Sequence, residues 1–307
     1  MPSFAILVHE EPRRLLELLK CLQGYNVYIH IDKYSNREIF LSEIQTIDHS
    51  KIHIVPEAES IGGAWGGYSL VNIQLKLMEK FLRNANVDGP LVFLSGQDYP
   101  IRPIDDFVRY LQTKQDFISV QQISAVKIAQ GDLIEISRLN RIRKIHLQDF
   151  RFFRMHKNRA SIEYVIGSIP ANVIRRLHIP RIGFDTNKRF FVGSQWVGLS
   201  VEMCKLLVNN KKSLREEFKF SFCPDELVIQ TFYGRTFTSI SKPDDNLEVS
   251  SDSVIDADFH LIHKSLNHFW GLTDLATIKS STKFFLRKPS FELLDYLIDS
   301  YETGSIN

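Results

Sequence analysis

The chain has 307 residues, is 44% hydrophobic and 24% charged, and carries a formal net charge of +2 at pH 7. That apolar fraction suffices for a sizeable core and excludes a disordered chain, while the near balance of charge excludes a global pull toward nucleic acid or an anionic membrane, so any electrostatic recognition is local. Three cysteines, Cys21, Cys204 and Cys223, lie far apart without CxxC spacing, which argues against a disulfide framework or a zinc site and fits a reduced compartment such as the cytosol.

Met1 to Val8 is too short an apolar run for a signal peptide or a membrane span, and Glu10, Glu11, Arg13 and Arg14 follow at once. Phe4 to Val8 suits a buried strand. Leu15, Leu16, Leu18, Leu19 and Leu22 then recur at helical spacing, with Pro12 near the first turn. Val27, Ile29 and Ile31 alternate with Tyr28 and His30 as a second strand, which ends at Asp32. After His53 to Val55, a glycine-rich loop around Trp65, Gly66 and Gly67 leads into a helix with Val71, Leu75, Met78 and Leu82 on one face. Leu91 to Leu94 reads as another strand, running into Ser95-Gly96-Gln97-Asp98. This order predicts an α/β fold with one mostly parallel sheet flanked by helices and ligands at the carboxyl ends of the strands. No repeat or low-complexity linker interrupts it, so residues 1–307 are expected to form a single compact domain.

From Arg138 to Arg159 the chain changes character. Arg138, Arg141, Arg143, Lys144, Arg151, Arg154, Lys157 and Arg159 stand against the single acid Asp149, interleaved with Phe150, Phe152 and Phe153. Such a cluster suits an anionic acceptor, a phospholipid surface or nucleic acid, and equally a solvated insertion whose aromatics pack on the main body. Beyond it, Phe190 to Ser200 predicts a buried strand, Val201 to Val208 a helix, Asp225 to Tyr233 a helix opening after Pro224, and Phe291 to Tyr301 a closing helix. A proline with acids in a first turn is an ordinary capping pattern, so Asp225 and Glu226 do not by themselves argue for catalysis.

Six stretches recur in order: Val27-Tyr28-Ile29-His30-Ile31-Asp32-Lys33, Trp65-Gly66-Gly67-Tyr68-Ser69-Leu70-Val71, Leu94-Ser95-Gly96-Gln97-Asp98-Tyr99-Pro100, Gly193-Ser194-Gln195-Trp196, Pro224-Asp225-Glu226 and Phe284-Phe285-Leu286-Arg287-Lys288. Together they resemble the core-2/I-branching glycosyltransferase family, which includes β-1,6-N-acetylglucosaminyltransferases and peptide O-xylosyltransferases. The resemblance implies a GT-A-like, Rossmann-type fold, a UDP-sugar donor, inversion at the anomeric carbon and no divalent metal or other cofactor. Carried over position by position, Asp32 matches the acid at the uracil end of the nucleotide, and Glu226 the carboxylate that takes the acceptor proton. Lys288, helped by Arg287, matches the cation at the diphosphate. The family's second diphosphate cation is an arginine upstream of that lysine. Here Ile262-His263-Lys264-Ser265 stands in its place, with Lys264 as the substitute and His263 behind it.

Val8, Trp65, Gln97, Gly193 and Ser194 complete the expected donor site, and Trp196, Asp225 and Trp270 the acceptor site. Residues 1–135 are expected to form the nucleotide-sugar half, and 136–307 the acceptor-binding and catalytic half. Several of these residues have structural readings as well: Asp32 as a turn residue, Trp65, Trp196 and Trp270 as core packing, and Asp98 as an acceptor of backbone N–H groups. The turn after Leu91 to Leu94 carries no paired acids. Asp244-Asp245 and Asp256-x-Asp258 occur outside the opening sheet, so no metal site is assigned and fixed cations are expected to balance the leaving group. The expected reaction moves GlcNAc or xylose to a hydroxyl of a glycan or lipid-linked acceptor, in bacterial surface polysaccharide synthesis. The expected place is the cytoplasm, with peripheral contact at the inner membrane face through the basic segment and no nucleic-acid partner. Two alternatives are a non-catalytic carbohydrate- or nucleotide-binding module and a metal-dependent transferase using Asp244-Asp245.

Overall fold

The computed structural model describes residues 1–85, 87–149, 177, 179–185, 187–237, 254–255, 257–265 and 267–303. The strands are β1 (Ser3–Val8), β2 (Asn26–Ile31), β3 (Ile52–Ile54), β4 (Leu91–Ser95), β5 (Asp98–Pro100), β6 (Gln121–Gln122), β7 (Phe191–Val192), β8 (Gly198–Leu199), β9 (Val254–Ile255), β10 (His260–His263) and β11 (Phe285–Arg287). The helices are α1 (Pro12–Cys21), α2 (Arg37–Ile44), α3 (Tyr68–Leu82), α4 (Ile104–Tyr110), α5 (Ala125–Ala129) and α6 (Leu133–Arg143), followed by α7 (Val201–Asn209), α8 (Lys211–Phe218), α9 (Val228–Phe237), α10 (Leu275–Ser280) and α11 (Phe291–Glu302).

Alternation along the opening strands sends successive side chains to opposite faces of the sheet and so builds two cores. Phe4, Ile6 and Val8, with Ile29, Ile31, Val92 and Leu94, pack against Leu15, Leu18 and Leu19 of α1 and Phe107 of α4. On the other face Ala5, Tyr28, Leu91 and Phe93 meet Val71, Leu75 and Met78 of α3 and Met203, Cys204 and Leu207 of α7. A third cluster joins Tyr99, Leu261 and Leu286 to Leu293, Leu294 and Leu297 of α11.

The expected GT-A-like, Rossmann-type fold with one mostly parallel sheet is corrected by the topology. The described strands divide among three sheets, ordered β3-β2-β1-β4-β8, β5-β11-β10-β9 and β6-β7. Their pairings split evenly: β1 with β2, β1 with β4, β2 with β3 and β10 with β11 are parallel. Those of β10 with β9, β11 with β5, β4 with β8 and β6 with β7 are antiparallel. The fold is a mixed α/β architecture. Parallel pairing follows from the helical crossovers of the first hundred residues, whereas the later strands are only two to four residues long and carry too little alternation to announce their partners.

Two local expectations also change. Phe190 to Ser200 is not one strand but β7 and β8, which lie in different sheets. The helix expected to open at Asp225 instead starts at Val228, preceded by a single 3-10 turn over Pro224–Glu226 and a break at Leu227. No helix among the described residues is long and apolar enough to cross a membrane.

Candidate functional site

The carboxyl ends of β1, β2 and β4 form one edge of the site. The Asp32 N–H donates to the Val8 carbonyl at 2.8 Å, which ties the ends of β1 and β2 together. Asp32 Oδ1 accepts the Tyr34 N–H at 2.9 Å and its Oδ2 the Gly63 N–H at 2.6 Å. One carboxylate therefore closes its own turn and fixes the glycine loop beside it, and its remaining lone pairs can accept further donors. His30, buried below, accepts the Ile61 N–H on Nε2 at 2.9 Å. Burial pushes its pKa down to about 4, so it stands as a neutral ring in that bond.

At the end of β4, Asp98 is fully enclosed. Its Oδ2 accepts the Ser95 N–H at 2.7 Å and meets His260 Nε2 at 3.0 Å, and its Oδ1 lies 3.5 Å from Arg287 Nη1. The guanidinium of Arg287 also lies 4.6 Å over the Trp196 ring. Arg287 is thus turned inward, onto an acid and an aromatic face. Lys288, next in sequence, adopts a left-handed φ of 68°. Its N–H donates to the Gln97 carbonyl at 3.1 Å and its own carbonyl accepts from Trp270 N–H at 3.0 Å. Burial lowers the Lys288 pKa; Arg287 and Arg14 act in the same direction, and Glu10 and Asp98 oppose them. Gln97 Nε2 donates to Glu10 Oε1 at 2.9 Å, which brings the start of α1 to the same place.

The opposite edge is the acid turn. Cys223 adopts a left-handed φ of 47°, and its N–H donates to the Gly66 carbonyl at 2.9 Å. Gly66, at φ 74°, has to be glycine twice over, because a Cβ there would come within 2.9 Å of the Phe222 ring. Asp149 accepts the Ser69 N–H on both oxygens, at 3.2 and 3.1 Å, and so caps the start of α3. From α6, Arg141 reaches across: its Nε donates to the Phe222 carbonyl at 3.1 Å, and its Nη2 donates to the Cys223 carbonyl at 2.7 Å and to Glu226 Oε2 at 2.8 Å. The Glu226 side chain remains 38% exposed, so it is oriented yet reachable. Asp225 beside it is buried, with Oδ1 lacking a partner. Burial, and then the neighbouring Glu226, push its pKa up to about 7.

Residues 193–196 bridge the two edges. The Gly193 N–H donates to the Glu226 carbonyl at 3.1 Å. A Cβ at Gly193 would lie 1.8 Å from the Ser119 carbonyl oxygen, so this passage requires glycine. The Ser194 carbonyl accepts from Gln230 Nε2 at 2.6 Å, and Trp196 carries Arg287 on its face. The structure thereby pairs Val8 with Asp32, Gln97 with Lys288, Gly193 with Glu226, and Trp196 with both Ser194 and Arg287, while Asp225 is buried beside Glu226. Trp65 joins them edge-on to Phe222 at 5.4 Å and is 67% exposed. Trp196 and Trp270, by contrast, are 4% and 2% exposed and present no free ring face. Lys264 is exposed in the turn after β10, next to His263, which stacks on His268 at 4.1 Å.

Sequence reasoning missed Arg14, Glu10 and the bond from Arg141 to Glu226. Arg14 had a legible signal, a charge on the leucine face of α1, whereas Arg141 was one of many basic residues. Phe150, Arg151, Phe152, Phe153, Arg154, Lys157, Arg159, Asp244, Asp245 and Asp256 lie outside the described residues. Among the described residues, no group of three or more His, Cys, Asp or Glu is placed to hold a metal ion.

The arrangement is that of an α/β protein with cations and a carboxylate gathered at its strand ends. The model of the core-2/I-branching enzyme family matches residues 3–263, and the chain belongs to that family. Human xylosyltransferase 1 is 32% identical over 123 residues, covering 37% of this chain and 12% of that protein. A xylosyltransferase of Ciona intestinalis is 23% identical over 261 residues, covering 81% of this chain and 26% of that protein. The chain therefore spans only a minor part of the length of these relatives. The mannosyltransferase Ktr4p from S. cerevisiae aligns at a TM-score of 0.29 and 8% identity, over 75% of this chain and 64% of that one, a likeness that carries no argument.

Proposed function

We propose that the protein is an inverting, metal-independent glycosyltransferase. It moves GlcNAc or xylose from a UDP-sugar to a hydroxyl of a glycan or lipid-linked acceptor. Family membership and the xylosyltransferases among its relatives support glycosyl transfer. The observation that supports the mechanism is a run of contacts, from the Glu226 carbonyl to Gly193 and from Trp196 to Arg287 beside Lys288, that ties the segment of a part-exposed carboxylate to that of two partly buried cations.

In an inverting transfer the acceptor oxygen bonds to the anomeric carbon as the bond to UDP breaks on the opposite side. The hydroxyl proton passes to Glu226, and the charge released on the diphosphate meets Lys288. Arg141 holds the Glu226 carboxylate in place, and Asp32, at the edge formed by the ends of β1, β2 and β4, receives the uracil. The exposed face of Trp65 beside the acid turn offers a platform for an acceptor ring. Arg138, Arg143 and Lys144 on and after α6 support contact with a lipid-linked acceptor at the inner face of the membrane, with the protein otherwise in the cytoplasm.

UDP release from UDP-GlcNAc and UDP-xylose, with acceptor and EDTA present, tests the reading. Wild type is expected to turn over, while Glu226→Gln loses about 10³-fold in kcat and keeps its affinity for UDP. Turnover retained in the Gln variant, or a strict manganese requirement, would contradict it.

A further inference from the structure

Arg14 is a guanidinium in an unusual position. It occupies the third residue of α1, only 4% exposed, among the leucines that fasten this helix to the sheet. Its Nε and Nη1 are enclosed and have no hydrogen-bond partner. Arginine carries five N–H donors and remains charged, so leaving the three on Nε and Nη1 buried and unused is costly unless another group completes them. Its ring contacts explain where it sits but not what its donors face: the guanidinium lies 4.4 Å over Phe291 and 5.2 Å over Phe269. Burial lowers its pKa, a tendency that Glu11 and Glu10 only partly oppose. Glu10 already accepts from Gln97 and meets His9 Nε2 at 3.1 Å, so it is committed elsewhere.

The surroundings specify the charge of the missing partner. Lys288 Nζ lies 5.9 Å over the same Phe269 ring that Arg14 covers, and the charge on Arg14 helps to lower the Lys288 pKa. Two cations that share one ring are relieved by an anion that reaches both. The first turn of α1 adds its own positive end, since Glu11 at the N-cap makes no side-chain cap bond. A planar fork and a point charge on one aromatic ring suit a diphosphate, whose oxygens outnumber what a single ammonium can satisfy.

We infer that Arg14 is the second cation of the diphosphate site, acting with Lys288 in the position that sequence reasoning gave to Lys264. The assignment of the anion as the diphosphate of a UDP-sugar rests on the proposed transferase reading; the anion site itself does not. Arg14 also differs from Arg287, which is spoken for by Asp98 and Trp196.

Calorimetric titration with uridine, UDP and inorganic pyrophosphate separates the possibilities. Arg14→Met, which keeps an unbranched stem on the phenylalanine rings, is expected to bind UDP and pyrophosphate at least tenfold more weakly than wild type and uridine equally well. Arg14→Gln, neutral but polar, gives the same comparison should the methionine variant fail to fold, as judged by its melting curve. Unchanged UDP affinity in these variants overturns the role of Arg14 and leaves the transferase reading intact. Arg14-dependent binding of pyrophosphate without binding of UDP upholds the anion site and removes the nucleotide donor. A wild type that binds neither overturns both.

Discussion

The crest of the opening sheet and the acid turn are built in opposite ways. At the crest, Val8, Asp32 and Gln97 are placed by the ends of the adjacent parallel strands β1, β2 and β4, with the Asp32 N–H bonded to the Val8 carbonyl. In the acid turn, Glu226 depends on distant segments: Arg141 from α6, Gly66 from the glycine loop and Gly193 from the bridge. The crest is a rigid edge on which a ligand can be registered, whereas the turn is held in a left-handed backbone at Cys223 by contacts that must all form together. Strain of this kind recurs at Glu11 and Lys288, and these three are the non-glycine residues with positive φ among the described residues. All three border the site, which is where over-determined backbone is expected.

The contrast can be broken from either side. Beyond the loss expected of Glu226→Gln, the largest effect should come from the crest. Lys288→Ala is expected to cut kcat/KM about 10²-fold by removing the charge that receives the leaving group, with a parallel loss of UDP affinity in the same titration. Arg141→Met tests the turn and should lower kcat about 10-fold to 30-fold with UDP affinity unchanged, since it frees Glu226 to leave its position without touching the donor side. Equal losses in both parameters would mean that the two edges are not separate.

The smallest effect is one of stability and pH. Asp225 has its pKa raised from 3.8 to about 7 by burial and by Glu226. The folded state therefore binds its proton more tightly than the unfolded chain does, and this contribution to stability is lost as pH rises from about 4 to about 7. Asp225→Asn carries no such charge. Its melting temperature is expected to match wild type near pH 4 and to exceed it by on the order of a few °C at pH 8. Thermal melts across that range check it, and parallel curves would show that Asp225 does not titrate as described.

The same contrast governs how much of the molecule was legible in its sequence. Strands β1, β2 and β4 and helices α1 and α3 announce themselves through apolar alternation and helical spacing, so the crest residues could be placed before the structure was known. The three-sheet topology could not, because β7, β8 and β9 each have two residues and no period. Glu226 was singled out by its resemblance to a family motif, and the helix after it was expected with its start three residues early: a proline before two acids reads as a helix start, and the break at Leu227 comes from tertiary contacts that local propensity does not encode. Cys223 bears a left-handed conformation that no sequence rule would assign to a cysteine. Arg287 was expected at the diphosphate, yet the neighbours that turn it inward, Asp98 and Trp196, are distant in sequence. Of the two readings open for Trp196 and Trp270, their burial fits core packing rather than acceptor stacking, and the exposed Trp65 is the ring that the acid turn presents.

A crystal structure with UDP bound tests most directly whether crest and turn form one site. The account predicts the uracil at Asp32, the diphosphate against Lys288, and the Glu226 carboxylate facing the position where the transferred sugar would sit. UDP bound elsewhere, Lys288 directed into bulk solvent, or Glu226 remote from the nucleotide would contradict it.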